Sequence, residues 1–234
     1  MNGSIIENVM LIVGWVVISI IASRLYKSQS DKPILWKLIV VILIGFFTFS
    51  FHLQVFDRGI QIPILPLGVW VLYWFLRKDE PTWRKYRPFA WLGFVANYIL
   101  LIFLFIGYLI NHLLYPAYNI STYISNVEDA YIINTHPTAN ESSLSKGNLI
   151  ASILTAKQQD YSSLSWYNET LLGADSDETA ERFPYMLANT FPKWGSGLRT
   201  SIYLEKNGKG ILITTQEKQF YFQTDLSLLE GENQ

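Results

Sequence analysis

The 234-residue chain contains no cysteine, three histidines and three methionines. The missing cysteine excludes disulfides, thiol nucleophiles and thiolate metal sites. The sequence holds no HExxH, no GxSxG, no P-loop and no dinucleotide fingerprint. Charge is missing too: inside the apolar runs of the first half there is no Asp, Glu, Lys or Arg, apart from Glu7 and Lys37 near their ends. Transport and proton relay usually use ionisable groups at mid-membrane depth, so that class of mechanism finds no support.

What the first half does contain is four apolar stretches: Ile5 to Ser23, Ile34 to Phe56, Ile60 to Leu76 and Phe89 to Leu114. A bilayer core of roughly 30 Å needs about 20 apolar residues, and about 17 is the lower limit. The expectation is four transmembrane helices over residues 1–114. The third is short and carries Pro63 and Pro66. It is expected to kink, to thin the bilayer, or to begin as an irregular turn shielded by its neighbours; a re-entrant segment is the alternative. A cleaved signal peptide wants positive charge before its apolar core. Here Glu7 precedes the first run while Arg24 and Lys27 follow it, which favours a retained helix.

The basic residues give an orientation. Arg24, Lys27, Lys32 and Lys37 flank the first connection, and Arg77, Lys78, Arg84, Lys85 and Arg87 flank the third. Only Arg58, beside Asp57, lies in the second. Lys and Arg accumulate in cytoplasmic loops. Nine basic residues against one place the first and third loops in the cytoplasm, and the N-terminus and the C-terminal domain outside. Trp36, Trp74, Trp83 and Tyr86 suit an aromatic belt on the cytoplasmic side.

Residues 115–234 read as a soluble extracytoplasmic α+β domain. It carries eight basic and fourteen acidic residues, a balance of −6 that the overall −1 conceals. An acidic domain is a poor partner for nucleic acid and for anionic head groups. An outside domain of this size without disulfides must rely on its own core; a bacterial, Gram-positive surface fits best. Asn119-Ile-Ser121, Asn140-Glu-Ser142 and Asn168-Glu-Thr170 match the glycan acceptor triplet, but such triplets arise easily in an Asn- and Ser-rich domain.

Within this domain the spacing predicts a three-stranded antiparallel meander. Leu198 to Glu205 alternates, with Ile202 and Leu204 on one face and Tyr203 on the other. Asn207-Gly208 is a tight-turn signal in which both residues should adopt positive φ. Gly210 to Thr215 returns, and Gln219 to Thr224 adds a strand with Phe220 and Phe222 on one face. Asp225 is expected to cap a short helical turn through Leu229. Asp175-Ser-Asp-Glu178 reads as a capping box opening a helix through Asn189, with Phe183, Met186, Leu187 and Phe191 on its apolar side and Pro184 inside. Tyr123 to Ile133 suggests a strand, Thr135 to Lys146 a polar loop, and Asn148 to Thr155 either a strand or a short helix. The hairpin, aromatic strand and end helix are loosely similar to small bacterial pleckstrin-homology-like domains, without a diagnostic motif and with no function implied.

The chemistry-bearing residues are few, and no catalytic, cofactor-binding or metal site is assigned. His52 and His112 lie near the outer ends of the second and fourth runs, where interfacial packing outweighs a shared metal or proton site. His136 has no companion at ligand spacing. Ser142, Ser143 and Ser145 beside Lys146 read as a solvated loop rather than a Ser–Lys dyad. Asp175, Asp177, Glu178 and Glu181 suit a helix N-terminus better than calcium. Asn97, the one strongly polar side chain well inside a run, is expected to hydrogen-bond across the bundle. The favoured function is a non-enzymatic anchored module, whose outer domain binds, regulates or assembles with another membrane or surface protein. The alternative is a membrane-embedded enzyme or transporter-complex subunit, with a site at the outer interface built from His52, Asp57, Arg58 and His112. The bilayer is the one partner that the composition itself implies.

Overall fold

The computed structural model describes residues 4–55, 58–137, 139–159, 181–216 and 218–230. These fall into two compact units: Ile6–Ile110, and Met1–Ile5 together with Asn111–Gln234.

The first unit holds α1 (Ile5–Ser28), α2 (Leu35–Gly45), β1 (Phe49–Val55), β2 (Arg58–Leu65), α3 (Leu67–Leu76) and α4 (Glu80–Leu114). Two of these helices, α1 and α4, are long and apolar enough to cross a membrane, each with a window of mean hydropathy 2.3. Four transmembrane helices were expected, and this is corrected. The second and third apolar runs are not continuous helices. Each is split between a short helix and a strand, and the strands pair as an antiparallel hairpin, Phe51 opposite Ile62 and Leu53 opposite Ile60. The signal was present in Phe49-Ser-Phe-His-Leu-Gln-Val55, which alternates apolar and polar residues with the period of a strand. Pro63 sits within β2, where it needs no ladder donor, and Pro66 caps the start of α3.

Glycines draw the short helices onto α4. A Cβ at Gly68 would overlap the Ile44 carbonyl oxygen. One at Gly45 would overlap the Ala90 carbonyl, and one at Gly93 would stand 2.9 Å from the Cα of Gly45. Buried Val69, Leu72, Phe89 and Ala90 pack around this contact with Leu38 and Val41. Gly14 similarly lets α1 approach Leu100 and Phe103. Such contacts between small residues are the usual means of helix association where lipid removes the hydrophobic drive. The two basic loops meet at one end of this unit: Lys85 Nζ bonds Asp31 Oδ1 at 2.9 Å and Gln29 Nε2 donates to the Lys85 carbonyl at 3.0 Å.

The second unit is a six-stranded antiparallel sheet with one helix on it. Its elements are a 3-10 turn (Ile120–Thr122), β3 (Tyr131–Asn134), β4 (Ser143–Leu144), α5 (Lys146–Thr155), β5 (Lys157–Gln159), β6 (Tyr185–Ala188), β7 (Ser201–Leu204), β8 (Gly210–Thr214), β9 (Gln219–Gln223) and β10 (Leu229–Glu230). The order is β3-β6-β7-β8-β9-β5, while β10 pairs with β4. The expected meander is present: Ile202 faces Ile213, Leu204 faces Ile211 and Ile211 faces Phe222. These side chains, with Tyr185 and Leu187, form one face, which Leu149 of α5, Ile120, Ile124 and Leu228 cover. The second face carries Phe183, Tyr203, Leu212 and Tyr221.

Three local expectations are corrected. Residues 185–188 form strand β6, not a helix: Pro184 disfavours a helix through this stretch, and Tyr185 and Leu187 alternate into the core; the capping-box residues 175–178 lie outside the described residues. Residues 225–228 form bends and irregular chain leading into β10, so the end helix of the pleckstrin-homology likeness is not formed. The strand expected from Tyr123 is confined to β3, and Asn148–Thr155 belongs to helix α5.

The β7–β8 turn also differs from a two-residue turn. Glu205 N–H bonds the Gly210 carbonyl and Gly208 N–H bonds the Glu205 carbonyl. The loop therefore has four residues, and of Asn207 and Gly208 only Gly208 is left-handed, at φ 70°. Its tip is packed: Leu228 N–H donates to the Gly208 carbonyl at 2.8 Å. Every residue of the main core lies between Ile120 and Leu229, so the fragment Asn119–Gln234 carries that core whole. In that fragment Gly208→Val should cost about 1–3 kcal/mol of backbone strain, plus the clash with Ser227 and Leu229. Lys209→Ala should cost far less. Equal thermal midpoints for the two variants would contradict this turn.

Candidate functional site

The geometry that stands out in the first unit is the break at the end of α2. A helix leaves its last carbonyls unbonded, and in hydrocarbon no water replaces the missing donors. Here Asn97 Nδ2 of α4 donates to the Phe46 carbonyl at 3.1 Å, and Gly68 N–H donates to the Phe47 carbonyl at 2.8 Å. The Tyr98 hydroxyl donates to the Pro63 carbonyl on β2. Asn97 thus bonds across the bundle, as the sequence suggested. It lies ten residues beyond Arg87, about 15 Å along α4 at the helical rise.

Beside the break is a cavity of about 580 Å³. Leu11, Leu43, Leu100, Leu101 and Leu104 form its apolar wall, and Thr48, Ser50, Gln61 and Asn97 supply its polar groups. Among the described residues no charged side chain lines it. The Thr48 and Ser50 hydroxyls lie 3.0 Å apart. A cavity of this size suits a small ligand, and this lining suits an uncharged, largely apolar one with one or two hydrogen-bonding groups.

The members of the interfacial group weighed from the sequence are found as follows. His52 lies on β1 and contacts Gln61 across the hairpin, Nε2 to Nε2 at 2.8 Å. His112 lies in the last turn of α4 and belongs to the other unit. Asp57, and with it the Asp57–Arg58 pair, lies outside the described residues, as do Asp175, Asp177 and Glu178. Glu181 accepts from the Phe183 N–H at 3.2 Å. Ser143 Oγ bonds Glu230 Oε2 at 3.1 Å, and Lys146 Nζ bonds the Glu128 carbonyl, so these two do not form a dyad. Among the described residues no three metal-ligating side chains converge.

Sequence reasoning missed a charged cluster on the second face of the sheet. Arg182 Nε bonds Glu205 Oε1, and the Tyr221 hydroxyl donates to Glu205 Oε2 at 2.9 Å. The guanidinium lies 5.4 Å from the ring centroids of both Phe183 and Tyr221. Burial opposes the Arg182 charge, but the hydrogen bond and charge of Glu205 outweigh it, with Tyr221 adding to them, and its pKa is raised. Burial also raises the Tyr221 phenol, helped by Glu205 and opposed by Arg182. Burial alone raises Tyr123, whose hydroxyl donates to the Ala117 carbonyl at 3.2 Å. The cluster clamps the entry to β6 against the β7–β8 hairpin. A second cleft in this unit, lined by Tyr115, Thr122, Ser196, Lys218 and Phe220, holds only about 160 Å³, below the size of ordinary ligand pockets.

No family model, curated protein or solved structure matches the chain. Its function is therefore read from these sites alone.

The tyrosines set an alkaline limit. Both phenols are raised above 10.0 when folded, so the native state keeps protons that the unfolded chain releases. Their stabilisation is present below about pH 10 and is lost as the pH rises through the folded values. In the fragment Asn119–Gln234, Tyr221→Phe should cost about 1 kcal/mol at pH 7 through the lost bond to Glu205. The gap from wild type should narrow above pH 10. A gap that stays constant to pH 11 by thermal melting would contradict the assignment.

Proposed function

We propose that this chain is a multi-pass membrane protein of the cell membrane, with its N-terminus and its acidic sheet domain outside, and that the domain binds or regulates a neighbouring membrane or surface protein. The observation that carries this reading is the gathering of the two basic loops at one end of the first unit, held by Lys85–Asp31 and Gln29–Lys85. The path from α2 through the hairpin to α3 returns to the end from which it left. Whether it crosses the bilayer or turns back, α1 and α4 then have their basic ends on one side, and their other ends, with the N-terminus and the sheet domain, on the opposite side. Lys and Arg mark the former as cytoplasmic. The sheet domain, with a core of its own, suits a binding module.

The second reading is a ligand-handling role within the membrane, alone or as a subunit of a transporter complex. The cavity beside the broken α2 favours it, through its polar Thr48, Ser50, Gln61 and Asn97.

Protease applied to intact cells, or to spheroplasts where a wall blocks access, is expected to clip the chain beyond Tyr115. Cleavage only after lysis would overturn the orientation. Purification from native membranes in mild detergent separates the two roles. A stoichiometric protein partner supports the first. An uncharged amphiphile retained by wild type, and expelled by the cavity-filling Leu104→Trp, supports the second.

A further inference from the structure

Lys193-Trp194-Gly195-Ser196-Gly197 reads in sequence as a turn-rich connection. In the structure it is fastened to the two places where long apolar helices end. The Tyr115 hydroxyl, just past α4, donates to the Trp194 carbonyl at 2.9 Å. Lys193 Nζ donates to the Leu114 carbonyl at 3.3 Å and lies 5.7 Å from the Tyr115 ring centroid. Ile5 N–H, at the start of α1, donates to the Gly195 carbonyl at 3.1 Å. Gly195 (φ 83°) and Gly197 (φ 71°) are both left-handed. A Cβ on Gly195 would stand 2.7 Å from the Tyr115 hydroxyl oxygen, so the loop backbone is pressed onto that residue.

This fastening holds the Trp194 side chain out: it is 83 % exposed, and Leu113 and Tyr118 on the neighbouring segment are 78 % and 71 % exposed. Indoles commonly bury 150–250 Å² of surface, and leaving that area in water is unfavourable. The loop's charge is also unlike that of its domain. Residues 190–199 carry Lys193 and Arg199 and no acid, whereas the domain as a whole is acidic.

We propose that the Lys193–Gly197 loop is a bilayer anchor, with the Trp194 indole seated at the boundary between head groups and acyl chains of the membrane that α1 and α4 enter, and the Lys193 ammonium among the lipid phosphates. The level is set by the hydrogen bonds to residues 5, 114 and 115, which are helix ends and therefore mark where a span leaves the hydrocarbon. Trp and Tyr concentrate at that level, and a Lys there keeps its stem on apolar surface and its charge in water. Anionic lipid repels the acidic remainder of the domain, so this one contact decides which side of the sheet domain faces the bilayer and leaves the others free for a partner.

The inference rests on the reading of α1 and α4 as spans, and the test separates the two. A chain without cysteine allows single-site labelling in the full-length protein. Trp194→Cys, Leu154→Cys at an exposed position of α5, and Phe105→Cys within α4 each receive an environment-sensitive fluorophore. Each is reconstituted in vesicles of phosphatidylcholine with phosphatidylglycerol. The label at 194 is expected to emit blue-shifted from that at 154. It should be quenched by lipids carrying a nitroxide near the head group and shielded from aqueous iodide. The label at 105 should be quenched by nitroxides deep in the acyl chains, and that at 154 by iodide alone. Iodide quenching at 194 equal to that at 154, with deep quenching at 105 intact, would overturn the anchor and spare the spans. Loss of deep quenching at 105 would overturn both.

Discussion

A backbone amide or carbonyl cut off from water must find its partner inside the protein, and the end of α2 is where this chain meets that demand. The helix stops after 11 residues, a rise of about 16 Å and half a bilayer core. Its freed carbonyls are met by Asn97 from α4 and by Gly68 N–H at the start of α3. Both partners can reach only because Gly45, Gly68 and Gly93 bring three segments into backbone contact. The hairpin, the cavity and the return to the basic end all depend on this junction.

The two units solve the burial problem differently. The first associates through small residues and a few side-chain bonds to backbone carbonyls, from Gln29, Asn97 and Tyr98. The second has an ordinary core, in which Ile202, Leu204, Ile211, Ile213 and Phe222 of successive strands meet Leu149 from α5. Its half-buried Arg182–Glu205 pair is flanked by the rings of Tyr221 and Phe183, so the charge of Arg182 is both paired with Glu205 and stacked on rings. Removing one partner leaves the other partly buried charge without its hydrogen bond, at a cost larger than that of an exposed pair.

Much of the second unit could be read directly. Ile202-Tyr203-Leu204 and Ile211-Leu212-Ile213 have the period of strands with a turn signal between them, and neither Gly nor Pro disturbs that alternation. The stretch from Arg182 misled, because apolar spacing before and after Pro184 imitates a helix face, while the partner strands β3 and β7 lie more than ten residues away in sequence. The membrane half was legible in position and not in form. An apolar run facing lipid has much the same composition whether helical or extended, so Ile34 to Phe56 read as one span. The alternation in Phe49 to Val55 and the proline in β2 were the local signs against it. Of the candidate site only Asn97 could be picked out. Thr48, Ser50 and Gln61 are ordinary polar residues until the hairpin turns them toward one cavity.

The junction at the end of α2 can be examined atom by atom through amide hydrogen exchange in a lipid bilayer. Gly68 lies just beyond an irregular connection, yet its N–H is bonded to the Phe47 carbonyl at 2.8 Å and surrounded by Ile44 and Gly45. Its exchange should be slowed to the range of amides in the middle of α4, and Gly93→Leu, which forces the segments apart, should release it. Exchange of the wild-type Gly68 amide as fast as that of an exposed loop would mean that the break is open to water, and would contradict the account of how this chain folds in a membrane.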